Sequence, residues 1–274
     1  MDLPDLAAYQ ARIGVAGALA PTRATLDRLI LGHARTLAFG NIEVLAGGVP
    51  ALDLASLQAK LLREQRGGHC YEHNGLFMAC LRALGFSVAP LEARVRLGIP
   101  AEVATPRTHL ALRVTIDGQD WLADVGFGGT APLAALALAS RGVQEVPLGR
   151  YRFVDADDGL LLQAASPEGF VDAYCIAPGV PRPIDFELGN WWVATQPKAF
   201  LKSNLQLGRA VPEGRLTLFN RNLALRRAPE LAPETRVLQT RAEFAAVIAD
   251  RFGIPIRPHE LDAVMTTVQR QSPL

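Results

Sequence analysis

The chain has 274 residues, 49% of them hydrophobic, with 28 basic residues against 27 acidic ones and a formal net charge of +1. At roughly 150 residues per domain this length allows about two units or one large core, and the composition excludes disorder as the dominant state. The charge balance excludes a broad positive field for nucleic acid or an anionic membrane, so an anionic ligand is expected to be held locally. No apolar run approaches the roughly 18 residues of a membrane span. The start, Met1 to Asp5, lacks the basic, apolar and small-residue order of a signal peptide, so a cytoplasmic location is expected. Oligomeric state is not legible. Among the basic residues only Lys60, Lys198 and Lys202 are lysines, a bias that together with the abundant alanine points to a GC-rich bacterial source.

The first 85 residues read as helices. After Pro21 and Thr22, the residues Leu26, Leu29, Ile30, His33 and Leu37 recur at helical spacing; Leu54, Leu57, Leu61 and Leu62 do so after the cap candidate Asp53. Gly67 and Gly68 end that helix, and Cys70 begins another, with Phe77, Cys80, Leu81 and Leu84 on one face and Gly85 as its stop. Beyond Ser87 the period changes to two. Leu91 to Arg96 and Leu110 to Ile116 alternate, Trp121 to Val125 is a short apolar run, and strands continue through Tyr151, Leu160 and Val171. Pro178 to Pro197, rich in proline and tryptophan, reads as an irregular crossing into a third part. Two strands follow around Pro212 to Gly214, then a helix with Thr240 and Glu243 at capping-box spacing and Phe244, Val247, Ile248 and Phe252 on its buried face.

Three cysteines are too few and too scattered for a disulfide framework, so each is weighed as a thiol. Cys80 and Cys175 read as core. Cys70 stands at a helix start after two glycines, between His69 and His73, where the helix dipole and a nearby imidazole favour thiolate. A nucleophilic thiol needs a base and the base an orienting acceptor. If Asp117 and Gly118 form a two-residue hairpin turn, Ile116 faces Gln119; His109 and Asp124 then become diagonal neighbours on one face, within reach of an imidazole–carboxylate bond. The glycines of Gly126 to Gly129 can expose backbone amides to an anion, although the stretch lacks the features of a phosphate loop. A zinc site from His69, Cys70, His73, His109 and Asp124 lacks standard ligand spacing, so no metal is expected. A papain-type arrangement is set aside because His109 follows Cys70 too closely.

Taken together these residues resemble the arylamine N-acetyltransferase family. The motif Arg-Gly-Gly-x-Cys-x-Glu-x-Asn matches Arg66, Gly67, Gly68, Cys70, Glu72 and Asn74; the histidine motif matches Thr108 and His109; Asp-Val-Gly-Phe-Gly-Gly matches Asp124 to Gly129. The resemblance implies an α+β fold: a helical bundle (1–86), a central β-barrel (87–190) and an α/β lid (191–274), with a cysteine-protease-like catalytic core. It implies acetyl transfer from acetyl-coenzyme A (acetyl-CoA) to an arylamine or arylhydrazine through an acetyl-cysteine, in ping-pong order. Cys70 would be the nucleophile, His109 the base and Asp124 its partner; Phe39, Val95, Phe127 and Phe200 would line the substrate cleft, and Thr108, Gly128 and Gly129 the coenzyme path. A family member using a larger acyl donor, such as an amide synthase, and a non-catalytic binding module are the alternatives. Three positions depart from the family pattern. Gly40 replaces a glutamate expected to partner Arg66, His69 replaces an aromatic residue, and Leu97 stands where some members have tryptophan. Arg66 is therefore expected to find another acceptor, such as Asn41, Glu43 or a nearby carbonyl, and Gly40→Glu to stabilise.

Overall fold

A computed structural model of the chain describes residues 3–100 and 102–271. The N-terminal helices are α1 (Leu6–Ile13), α2 (Arg23–Thr36), α3 (Ile42–Leu45), α4 (Leu54–Gln58) and α5 (Cys70–Ala83), with a two-residue strand β1 (Phe39–Gly40) between α2 and α3. Their limits follow the sequence signals. Thr22 Oγ1 accepts the Thr25 N–H at 3.2 Å and Asp53 Oδ1 accepts that of Ser56 at 2.9 Å, each satisfying a donor the helix leaves free. The anticipated helix after Asp53 ends differently. From Ala59 to Arg63 it widens into a π-helical turn, as the late helix α8 (Arg241–Ala246) does over Val247–Arg251. Leu26, Leu29, Ile30, Leu57, Leu61, Phe77 and Leu81 share one core with Leu112, Val114 and Ala123 of the following strands.

Eight strands form the middle: β2 (Ser87–Val95), β3 (Arg107–Ile116), β4 (Gln119–Ala123), β5 (Leu136–Ala137), β6 (Gln144–Val146), β7 (Gly149–Ala156), β8 (Gly159–Ser166) and β9 (Gly169–Ile176). They lie side by side in the order β5-β4-β3-β2-β9-β8-β7-β6. Leu136 of β5 and Tyr151 of β7, near opposite ends of that order, share a core with Leu91, Ala111 and Tyr174, so the sheet curls into a nearly closed barrel. The β3–β4 hairpin has the anticipated register: Ile116 pairs with Gln119 and Leu112 with Ala123. Asp117 (φ 50°) and Gly118 (φ 76°) both adopt the left-handed backbone that a two-residue turn of this kind requires.

Pro178 to Pro197 is not irregular as expected. Pro183–Thr195 forms helix α6, followed by the short α7 (Phe200–Ser203). Pro183 occupies the first helical position, where a missing N–H costs nothing, and the prolines at 178, 181 and 197 lie outside the helix. Gly189 lets α6 settle onto α5: a Cβ there would stand 1.9 Å from the Tyr71 hydroxyl. A second sheet, β1-β10-β11-β12-β13, uses β10 (Gln206–Val211), β11 (Gly214–Phe219), β12 (Asn222–Arg226) and β13 (Glu234–Val237). It packs on α8 and on a C-terminal helix α9 (Pro258–Gln271) through Leu207, Leu218, Phe244, Ile248 and Val264. The chain is thus α+β, with helices at both ends of a barrel.

Buried polar side chains join these parts. Arg215 of β11 donates to the carbonyls of Leu148 and Ala131, at 2.9 and 2.8 Å, and to the Tyr151 hydroxyl at 3.1 Å. The acceptor for Arg66 is neither Asn41 nor Glu43: its guanidinium pairs with Glu260 of α9 and reaches the Pro255 carbonyl at 3.4 Å. Asn41 instead binds the carbonyls of Leu201 and Asn204, and Glu43 pairs with Lys60. Beside Gly40 only about 10 Å³ is free, and a Cβ there would lie 2.8 Å from the Leu207 side chain, so the anticipated benefit of Gly40→Glu is corrected. That variant is expected to lower stability. Arg66→Ala, by leaving Glu260 buried without its cation (side chains 9% and 4% exposed), is expected to cost about 3–5 kcal/mol. Urea unfolding of both variants measures these effects.

Candidate active site

Cys70 is the first residue of α5. Asn74 lies one turn further on the same helix face, and together these two positions carry the site's connection to the barrel. Asn74 donates to the Leu110 carbonyl at 2.6 Å and to Asp124 Oδ1 at 2.9 Å, and accepts the Val125 N–H at 3.1 Å. This holds the stretch after β4 against α5. Gly126 is needed for that approach, since a Cβ there would stand 2.7 Å from both Asn74 Nδ2 and the Cys70 Cα.

Asp124 is buried and accepts four hydrogen bonds. His109 Nε2 and the Tyr174 hydroxyl reach Oδ2 at 2.7 and 2.9 Å; Asn74 and the Gly126 N–H reach Oδ1 at 2.9 and 2.8 Å. Burial opposes its charge, but His109 and these donors outweigh burial and hold the carboxyl below its ordinary pKa. The same bond occupies His109 Nε2, so Nδ1 is the ring nitrogen left free for proton exchange. Burial disfavours the imidazolium, yet Asp124 and then Cys70 raise His109 to about 10. Burial pushes the Cys70 thiol up, while hydrogen bonds and charge from His109 and His69 bring it down to about 6. Cys80 and Cys175 go the other way. Burial drives both to about 12, and in Cys175 the nearby Asp158 adds to it. All three cysteines are free.

Cys70 and His109 open onto a cleft of about 670 Å³ between the barrel and the α6–α7 segment. Phe39, Val95, Phe127, Phe200 and Thr108 line it. They sit at different depths. Phe39 is buried and stacks at 6.5 Å on His73, Phe127 meets His109 edge-on at 4.9 Å, and Phe200 is 54% exposed at the mouth, stacked on Phe219 at 5.7 Å. Gly128 and Gly129 are not on the cleft wall. They form a 3₁₀ turn packed on the second sheet, where a Cβ at Gly208 would lie 2.7 Å from the Gly129 nitrogen. Leu97 and Ile99 of the loop after β2, and Trp192, Val193 and Lys198 of the α6 region, also line the wall. Tyr174 was invisible to sequence reasoning, because only the β2–β9 pairing brings its strand beside His109. The neighbourhood of Asn74 was legible in its motif, but not its bond to Asp124. Among the described residues no group of three or more His, Cys, Asp or Glu side chains is arranged to hold a metal ion. No described helix is long and apolar enough to cross a membrane.

Two outcomes follow for the thiol. Because the Cys70 pKa is depressed, its thiolate dominates above about pH 6, so alkylation is expected to slow by about tenfold per pH unit below that midpoint while Cys80 and Cys175 stay unreactive. Peptide mapping after iodoacetamide treatment across pH measures this. Gly126→Ala is expected to destabilise by about 1–3 kcal/mol, because the new methyl must displace Asn74 or the start of α5. Thermal melts, together with the alkylation rate, check it.

Residues 22–261 match the family model described as N-acetyltransferase. An arylamine N-acetyltransferase of Escherichia coli is 37% identical over 254 residues, covering 92% of this chain and 90% of its own. An arylamine N-acetyltransferase / N-hydroxyarylamine O-acetyltransferase of Salmonella typhimurium is 38% identical over 216 residues, 78% of this chain and 76% of its own. The solved structure of Mycobacterium marinum arylamine N-acetyltransferase in complex with CoA superposes with a TM-score of 0.90 at 34% identity, covering 96% of this chain and 99% of that one. With a buried cysteine and histidine at one cleft, an aspartate bonded to that histidine, and a match over most of its length, the chain belongs to the arylamine N-acetyltransferase family of acyltransferase enzymes.

Proposed function

We propose that the protein transfers an acetyl group from acetyl-CoA to an arylamine or arylhydrazine through a thioester on Cys70. The observation that carries this reading is geometric: Cys70 and His109, the latter bonded to Asp124 at 2.7 Å, face a predominantly apolar cleft of about 670 Å³. In the first half-reaction the Cys70 thiolate attacks the acetyl carbonyl carbon. The new carbon–sulfur bond replaces the one to coenzyme A, whose departing sulfur takes the proton held on His109. In the second, the amine nitrogen attacks the thioester, His109 accepts the amine proton, and Cys70 leaves as thiolate. Asp124 keeps the imidazole oriented and stabilises its charged form in both steps. Phe39, Val95, Phe127 and Phe200 supply the apolar wall for an aromatic acceptor. Thr108 belongs to the coenzyme side on the cleft wall, with the Gly128–Gly129 turn supporting the adjoining Gly126–Phe127 segment.

Intact mass spectrometry after mixing with acetyl-CoA tests the reading. One acetyl adduct is expected on the parent chain and none on Cys70→Ala, with the adduct discharged on adding an arylamine. Initial rates are expected to give parallel double-reciprocal lines when both substrates are varied. Asp124→Asn, folded as the parent, is expected to lose on the order of 10⁴ in turnover because the tautomer is no longer enforced. An adduct that persists in Cys70→Ala, or near-normal turnover in Asp124→Asn, overturns the assignment.

A further inference from the structure

Tyr9 of α1, His33 of α2 and His73 of α5 are fully buried and joined end to end. The Tyr9 hydroxyl stands 2.9 Å from His33 Nδ1, His33 Nε2 stands 2.8 Å from His73 Nδ1, and His73 Nε2 stands 3.2 Å from the Ala38 carbonyl. A carbonyl oxygen only accepts, so His73 Nε2 carries a proton. With both rings neutral, every other proton in the chain is then placed: His73 Nδ1 accepts from His33 Nε2, and His33 Nδ1 accepts from the Tyr9 hydroxyl. An added proton would be a buried charge, and among the described residues no carboxylate is bonded to either ring. Cys80 of α5 faces Tyr9, Arg12 of α1 faces His33, and Lys60, His69 and Glu72 face His73. Of these charges only Glu72 favours a cation. Burial and the others outweigh it, so both rings stay below the ordinary histidine range, His73 at about 4.

The chain ends beside the cleft. Ala38 immediately precedes β1, and the ring of Phe39 lies on that of His73 at 6.5 Å with the planes 17° apart. Phe39 also pairs with Gly68, whose carbonyl accepts the Gly40 N–H at 2.7 Å, two residues before Cys70. His73 therefore holds the backbone just before Phe39 by a hydrogen bond and the Phe39 side chain by stacking. Stacking alone lets a ring slide, whereas a fully satisfied buried network has one arrangement. We propose that Tyr9, His33 and His73 are positioning residues, whose one-directional chain of neutral hydrogen bonds sets the place of Phe39 in the cleft and so governs how an aromatic acceptor meets Cys70. None of the three lines the cleft itself. The inference rests on the reading of Phe39 as part of the wall that receives the acceptor.

Nitrogen-15 spectra of the imidazoles test the chain itself. At about pH 6, where an ordinary histidine is largely protonated, His33 and His73 are expected as neutral rings with the proton on Nε2. Either ring protonated on Nδ1, or on both nitrogens, overturns the proposal. The effect on the cleft is read from the rate of Cys70 alkylation by N-benzyliodoacetamide relative to iodoacetamide, with thermal melts to establish folding. His33→Leu removes the donor to His73 and is expected to lower that ratio by about three- to tenfold, the worth of an aromatic contact, with the iodoacetamide rate retained. Tyr9→Phe, a milder break, is expected to lower it in the same direction, and His33→Gln, which can both donate and accept, to keep it. In a Phe39→Ala background His33→Leu is expected to change nothing further, because its effect passes through that ring. A ratio unchanged in folded His33→Leu or Tyr9→Phe, or an equal loss with and without Phe39, overturns the proposal. The readout needs no acetyl transfer, so failure of acetyl-CoA to label Cys70 counts against the proposed function and not against this assignment.

Discussion

The buried carboxylate of Asp124 is the constraint on which the rest of the site depends. An unpaired charge in that position costs several kcal/mol, and four donors from four separate segments offset it here. They come from α5 (Asn74), β3 (His109), β9 (Tyr174) and the backbone after β4 (Gly126). Satisfying one side chain therefore fixes the helical end of the molecule against the barrel. Because Asn74 and Cys70 share a helix face, the bond that seats Asn74 also sets where the sulfur stands relative to His109.

Such a meeting point needs backbones to approach closely, and small residues occur where they do. Gly126 lets the strand exit pass against α5, and Gly189 lets α6 close over Tyr71 to form the far wall of the cleft. A belt of ion pairs then holds the segment leading to Cys70 from the other side. Lys60 bridges Glu43 and Glu72, and Arg66 is held by Glu260 near the far end of the sequence. The site is thus supported by partners distributed from α3 to α9. Arg66 shows how far along the chain such support can come from. Its carboxylate partner, Glu260, is 194 positions away in the sequence.

Much of this was legible in the residues themselves, where chemistry is local. Helix starts at Thr22, Asp53 and Thr240 were readable because a cap involves side chains only three positions apart. The β3–β4 register followed from the two residues able to form its turn, and with it the approach of His109 to Asp124. Cys70 stood out as the candidate nucleophile for the same reason, since a helix start, two glycines and flanking histidines are a local pattern.

What the sequence determined by itself was therefore the set of elements governed by short-range rules and the identity of the three side chains Cys70, His109 and Asp124 that the fold brings together. What only the tertiary structure decided was every partnership formed across the fold: Tyr174 on Asp124, Glu260 on Arg66, Arg215 on the barrel carbonyls, and the placing of Gly128 and Gly129 against the second sheet. Helix α6 belongs to the same group. Its prolines argue locally for irregular chain, and it is the seat prepared by α5 and Gly189, with Pro183 at the one helical position that tolerates it, that makes the segment helical. The physical reason is common to all of them. Periodicity and capping report energies between neighbours in the chain, whereas the partner of a buried charge or the fit of two backbones depends on which distant segments packing brings together.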